Sequence, residues 1–199
     1  MSRLSRLRRR PGSHLGRRTG ARAARLAVGV VVVVVLALMV ATRLFVFPIT
    51  DEPGTADVVV VLDGGGPRHW HGVDLVVDGV AEEIVHMSEW SAVRRAYTVG
   101  PCRNRPARYD DTVTVTCPTP DPDTTVGEVH HLVDLADDRG WDEIVVVAST
   151  DQITRARMLL ARCFDGEARF TGPDHDDPWW ERMVYETAAT AAALLDPGC

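Results

Sequence analysis

Lysine is absent from this sequence. All 22 basic side chains among its 199 residues are arginine. That is a bias of composition, but it leaves no lysine-containing Walker phosphate loop. Aspartate and glutamate are missing from the first 50 residues, although the whole chain holds 28 of them. Cysteine is scarce: Cys102, Cys117, Cys163 and Cys199, none in a C-x-x-C pair. Zinc ligation by cysteine is therefore not expected. There is no G-x-G-x-x-G, so a dinucleotide dehydrogenase is not indicated. No internal repeat is present.

Where acids are absent, arginine and valine take over. Nine arginines precede the stretch LAVGVVVVVVLALMVA, residues 26–41, which carries no charge. After Thr42 and Arg43 the apolar character resumes with LFVFPI. A membrane-spanning helix needs roughly 20 apolar residues. Residues 26–47 meet that need if Arg43 snorkels to the interface. Six consecutive valines favour a strand in water, but in lipid the backbone must satisfy its own hydrogen bonds, so a helix is expected. The arginines on one side and the acids on the other place the N-terminus in the cytoplasm by the positive-inside rule. A cleaved signal peptide is the rival reading. No small-x-small site followed by a polar start is evident, so an uncleaved single-pass anchor in the plasma membrane is expected. The pair Arg17-Arg18 is explained by chance in so arginine-rich a segment. The expected organisation is a cytoplasmic arginine-rich tail at 1–25, a membrane helix at 26–47, a linker at 48–55 and an exported domain at 56–199.

From residue 51 onward, 28 acids face 12 arginines, a formal charge of −16. Such a surface repels nucleic acid and anionic lipid, so no nucleic-acid partner is expected. Outside the membrane the four cysteines can form disulfides. Three pairings are possible, and Cys102 with Cys117, which bracket a polar loop, is the first choice.

Apolar, β-branched runs alternate with helix-period segments. ADVVVVL (56–62) has the continuous apolar character of a strand buried on both faces. Further strands are expected at 82–88, 112–117, 143–149 and 168–172. Helices are expected at 70–78, 126–139, 152–163 and 178–195. Val129, Leu132, Val133 and Ala136 mark the buried face of the second, and Trp180, Val184, Thr187 and Ala188 a plausible stripe on the last. Residues 89–111 show only a weak pattern. Strands separated by helices imply a mainly parallel α/β sheet with helices on both sides.

In such sheets ligands sit beyond the carboxyl ends of the strands. Asp63, Gly64, Gly65, Gly66, Ser88, Thr125, Glu128, Ser149, Thr150, Gln152 and Arg155 all fall at strand ends or at the helix starts that follow. The glycines permit close approach of backbone to a ligand, helix starts offer unpaired N–H groups, and Arg155 can hold a phosphate with two bonds. Glu128 and Asp63 are the candidate general bases. Each has a plainer reading: the triple glycine as a turn, Thr125 and Asp151 as helix caps, Arg155 as a tie to a loop or to Glu128. His130 and His131 are adjacent, so they point about 100 degrees apart on a helix. No metal site and no cofactor are expected.

The pieces ADVVVVLDGGGPR, IVHMS, CPTPDPDTTVGEVHHLVDLADDRGW and EIVVVASTDQITRARMLLARCF resemble, in order and spacing, the YdcF/SanA/ElyC-like family. This is a bacterial envelope-associated domain of unknown function. The resemblance covers residues 56 to about 170. It implies a Rossmann-like three-layer fold and a role in cell-wall assembly, envelope barrier function or lipid-carrier metabolism. It also implies a polar rim at Gly64, Gly65, Thr125, Glu128, Ser149 and Arg155. The chain departs from the family pattern twice: Asp63 stands for the first glycine of the loop, and Gln152 for a histidine. Glutamine keeps hydrogen bonding but cannot exchange a proton near neutral pH. The expected function is therefore binding of a phosphorylated lipid carrier or cell-wall precursor. The alternative is a hydrolase or transferase acting on phosphate-containing precursors.

Overall fold

The computed structural model describes residues 14–64, 67–173, 178–195 and 198; of residues 14–23 and 179 it describes the backbone alone. The chain divides into two compact units, one ending at Val40 and the other starting at Ala41. Helix α1 (His14–Phe45) contains a 22-residue segment, Ala24–Phe45, of mean hydropathy 2.7. By length and composition it is able to cross a membrane.

The second unit is built on β1 (Val58–Val61), whose four residues are all valine. The others follow in chain order: α2 (Arg68–Val77), β2 (Glu83–His86), β3 (Trp90–Ser91), β4 (Ala96–Tyr97), α3 (Gly100–Arg103), β5 (Thr114–Thr116), α4 (Thr125–Arg139), β6 (Glu143–Val147), α5 (Thr150–Cys163), β7 (Glu167–Thr171) and α6 (Trp179–Leu195). Five strands form one parallel sheet in the order β5-β2-β1-β6-β7. Winding starts at β1, runs outward through β2 to β5, then returns to β6 on the other side of β1. The carboxyl ends of β1 and β6 therefore flank the point where winding reverses, the place where such sheets open a crevice.

Both faces of the sheet are covered, and the valines of β1 record it. Val58 and Val60 pack with Leu132, Ile153, Leu160 and Phe170 on one side. Val59 and Val61 pack with Val73, Val76, Tyr109 and Val145 on the other. Val129, Leu132 and Ala136 are buried, as the pattern of α4 requires. The stripe expected on α6 is not the buried one. Trp180 and Val184 are exposed, and the inner face presents Glu186 and Ala193 instead. A charged residue at the centre of the buried face hid that face from a hydrophobic reading.

Thr124, not Thr125, caps α4: its hydroxyl accepts the Gly127 N–H at 3.2 Å. Thr125 is the first helical residue and is buried. Thr124→Ala is expected to cost about 1 kcal/mol of stability, read as a lowered urea midpoint with an unchanged slope. Asp151 also does not cap; it pairs with Arg182 at 3.3 Å.

The segment 48–55 does not behave as a free linker. Asp51 N–H donates to the Phe170 carbonyl, and the Asp51 carboxylate accepts the Phe170 N–H, both at 2.8 Å. Arg157 reaches the Asp51 carboxylate at 2.9 Å, and Arg169 donates to the carbonyls of Pro53 and Thr55. The segment thus lies along the outer edge of β7 and shields it from edge pairing. Within the weakly patterned stretch, β3 and β4 pair antiparallel, with Trp90 against Tyr97 edge-on at 5.0 Å. A disulfide joins Cys102 to Cys117, tying α3 to the end of β5.

Candidate functional site

The loop after β1 begins with Asp63 and Gly64. Gly64 has φ of +131°, a conformation that glycine alone adopts easily. Asp63 does not lie at positive φ, so nothing in the backbone demands a glycine there. What approaches Gly64 closely is Arg68: a Cβ on Gly64 would lie 2.7 Å from its Nη1. The glycine therefore lets Arg68 fold back over its own loop. Gly65 and Gly66 lie outside the described residues.

Arg68 is the junction of the rim. Its Nη1 donates to the Asp63 carbonyl and to Gln152 Oε1, both at 2.7 Å, and its Nη2 donates to Ser149 Oγ at 3.2 Å. One guanidinium thus gathers the loop after β1 and the start of α5. Glu128, in the first turn of α4, completes the set by accepting the Asp63 N–H. Three separate chain segments meet where the winding reverses.

Gln152 serves here as a neutral acceptor for Arg68. Ser149 spends its hydroxyl on Arg68 and makes no side-chain cap. Thr150 is buried, with its hydroxyl 3.5 Å from Arg182 Nη2.

Arg155 is engaged differently from the expectation. Its Nε and Nη2 donate to the two carboxylate oxygens of Glu186 at 2.8 Å each, a buried bidentate pair between α5 and α6. Arg155 acts on the rim through charge. Ser88 lies fully buried behind the rim. Its hydroxyl accepts the Val99 N–H, and its carbonyl accepts from Thr119. It positions the segment after β4.

The charges at this end form one network: Arg68, Arg155 and Arg182 against Asp63, Asp151, Glu186 and Glu128. Carboxyls outnumber guanidiniums in it, and Glu128 is the one whose burial favours the protonated form. Burial pushes its carboxyl up to about 7, and the nearby Asp63 and Asp123 add to the rise, against the Asp63 N–H and Arg68. Burial also works against the Asp63 anion, but His69, the Gly64 N–H and Arg68 outweigh it and leave its carboxyl below the usual value. Burial lowers Arg68 against the pull of Asp151, Glu128 and Asp63. Glu186 holds the Arg155 proton above its ordinary value despite burial.

Reading the sequence alone missed Arg68, Arg182, Glu186 and a buried chain of rings. His69 Nδ1 lies 3.1 Å from His86 Nδ1, and His86 Nε2 lies 3.4 Å from the Tyr109 hydroxyl. The signal for Arg68 was its place directly after the glycine loop. Arg182, Glu186, His86 and Tyr109 gave no signal, because their partners come from elements distant in sequence. Among the described residues, no three metal-ligating side chains are grouped to hold a metal. Compared with known proteins, the chain matches no family model, no curated protein and no solved structure.

Proposed function

We propose that this is a single-pass envelope protein that binds a phosphorylated lipid carrier or cell-wall precursor. Its N-terminus lies in the cytoplasm and its α/β domain outside the plasma membrane. Strand order and helices on both faces support a Rossmann-like three-layer reading, and α1 supports the anchor. The role is in building the cell wall or maintaining the envelope barrier.

One observation carries the binding reading: Arg68, oriented by oxygens from two loops at the reversal of winding. A guanidinium held in place before a ligand arrives spends little entropy on binding and matches phosphate geometry. The starts of α4 and α5 contribute less than free helix ends would. Glu128 and Asp151 already occupy their first turns, where they meet the positive end of the helix dipole. The phosphate is therefore assigned to the side of Asp63, Gly64 and Arg68.

The test uses the full chain in detergent micelles. Polyprenyl phosphate is expected to bind more tightly than the corresponding polyprenol, and Arg68→Gln to abolish the difference, with a retained cooperative unfolding transition above the assay temperature as the folding control. Equal binding of both lipids by the unmodified protein contradicts the reading.

A second reading, hydrolysis or group transfer on the same precursor, is favoured by Glu128 alone. A carboxyl with a pKa of about 7 suits proton transfer at neutral pH. Turnover that vanishes in Glu128→Gln while binding persists would establish it.

A further inference from the structure

A cavity of about 400 Å³ opens beside the Arg68 junction. Its wall is made by Asp63 and Gly64 after β1, His69 and Trp70 in the first turn of α2, Glu89 after β2, and the segment from Thr98 to Pro101. The volume falls within the range of about 300–1,000 Å³ that holds small molecules. None of the described residues lining it is an arginine, whereas two are carboxylates. This cavity is not built for a phosphate.

Its other features fit a neutral, hydroxyl-bearing ring. Trp70 lines the cavity with half of its surface exposed. Gly100 lies against it: a Cβ there would sit 3.8 Å from the indole. An indole offers an apolar face to the C–H face of a sugar. Asp63 and Glu89 are acceptors for hydroxyl groups.

His69 supplies the complementary donor. Its side chain is 8% exposed, and its Nε2 has no hydrogen-bond partner among the described residues. The nearest carboxylate oxygen, Asp63 Oδ1, is 3.8 Å away, beyond hydrogen-bond reach.

A chain of buried rings lies behind His69. Burial raises the Tyr109 hydroxyl far above neutral pH, so it keeps its proton. Burial, helped by His69, lowers His86 to about 3, so it is neutral. In the arrangement where Tyr109 donates to His86 Nε2 and His86 Nδ1–H donates to His69 Nδ1, the N–H left to His69 is at Nε2. This tautomer is assigned from the network. An N–H aimed at the ligand donates to an oxygen and disfavours a cation, which the carboxylates and indole alone would have welcomed.

We infer that this cavity is a saccharide subsite, with a sugar ring against Trp70 and one of its oxygens on His69 Nε2. The inference rests on reading the adjoining Arg68 junction as the phosphate site. The precursor then spans both, with its phosphate at Arg68 and its sugar in the cavity.

The experiment titrates the full chain in micelles with polyprenyl phosphate, with the same lipid carrying a phosphate-linked hexose, and with free hexose. The sugar is expected to tighten binding by about tenfold. Trp70→Ala, a partly exposed position, should erase that gain and leave bare polyprenyl phosphate bound as before. Equal affinity for the two lipids overturns the subsite and leaves the phosphate reading standing. Binding of free hexose with no preference for phosphate overturns the phosphate reading and keeps the subsite. Binding of none of the three overturns both. Displacement of the sugar lipid by tetramethylammonium, but not by hexose, overturns the sugar assignment in favour of a cation.

Discussion

Glu186→Ala is expected to lower the stability of the α/β unit by about 3–5 kcal/mol, because it leaves the buried Arg155 charge without its partner. The two side chains are 1% and 8% exposed, so water cannot replace the lost bonds. Arg155→Ala should cost a similar amount by stranding Glu186. Replacing both, as Arg155→Met with Glu186→Leu, should recover most of the loss, because an apolar pair of similar size incurs no desolvation penalty. Urea unfolding of the full chain in micelles measures all three. If Arg155 were instead a ligand clamp, Arg155→Ala would weaken binding and leave the midpoint where it was. An unshifted midpoint therefore contradicts the structural role given to the pair.

The second large effect is a pH dependence carried by Glu128. Its folded value of about 7 lies above the ordinary 4.5. Protonation thus favours the folded state. That contribution is complete below pH 4.5, declines as pH rises, and is gone above about pH 7. The displacement corresponds to about 3 kcal/mol. His86 acts in the opposite sense. Held at about 3 in the fold, it makes the protein less stable as pH falls below 6.5. The raw stability curve mixes the two, and the difference between the wild type and Glu128→Gln separates them. Glutamine can still accept the Asp63 N–H. The variant should match the wild type near pH 4.5 and exceed it by about 3 kcal/mol at pH 8. A constant difference across that range would show that Glu128 is ionised throughout.

The sheet was legible because its strands are chemically simple. A run such as VVVV reads as a strand buried on both faces, and its neighbours on each side confirm that reading. The helix α4 was legible because its apolar spacing has no competitor and Gly140 ends it in a left-handed turn. The inner face of α6 was not, because Glu186 occupies its centre and is stabilised by a residue 31 positions away. The hairpin of β3 and β4 was not, because two-residue strands are too short to show a period.

At the site, the positions of Asp63, Gly64, Glu128, Ser149 and Gln152 follow from a single rule, that polar residues at strand ends share a rim. The arginine that joins them does not follow from it. Arg155 stands one turn into a helix after a strand, where a phosphate ligand is commonly held, but α6 brings an acid to it. Arg68 stands directly after a glycine loop and folds back because Gly64 lacks a side chain. Which arginine gathers the rim depends on a helix that arrives last in the chain, and no local pattern carries that information.

The claim beneath the functional account is that the phosphate of an envelope precursor sits between the loop after β1 and the start of α5. A polyprenyl phosphate bearing a photoreactive group next to its phosphate tests it directly when bound to the full chain in vesicles and irradiated. The account predicts labelled peptides containing Asp63, Gly64 and Arg68 and, from the other side, Ser149 and Gln152. Labelling confined to α1, or spread evenly over the acidic surface, would contradict it.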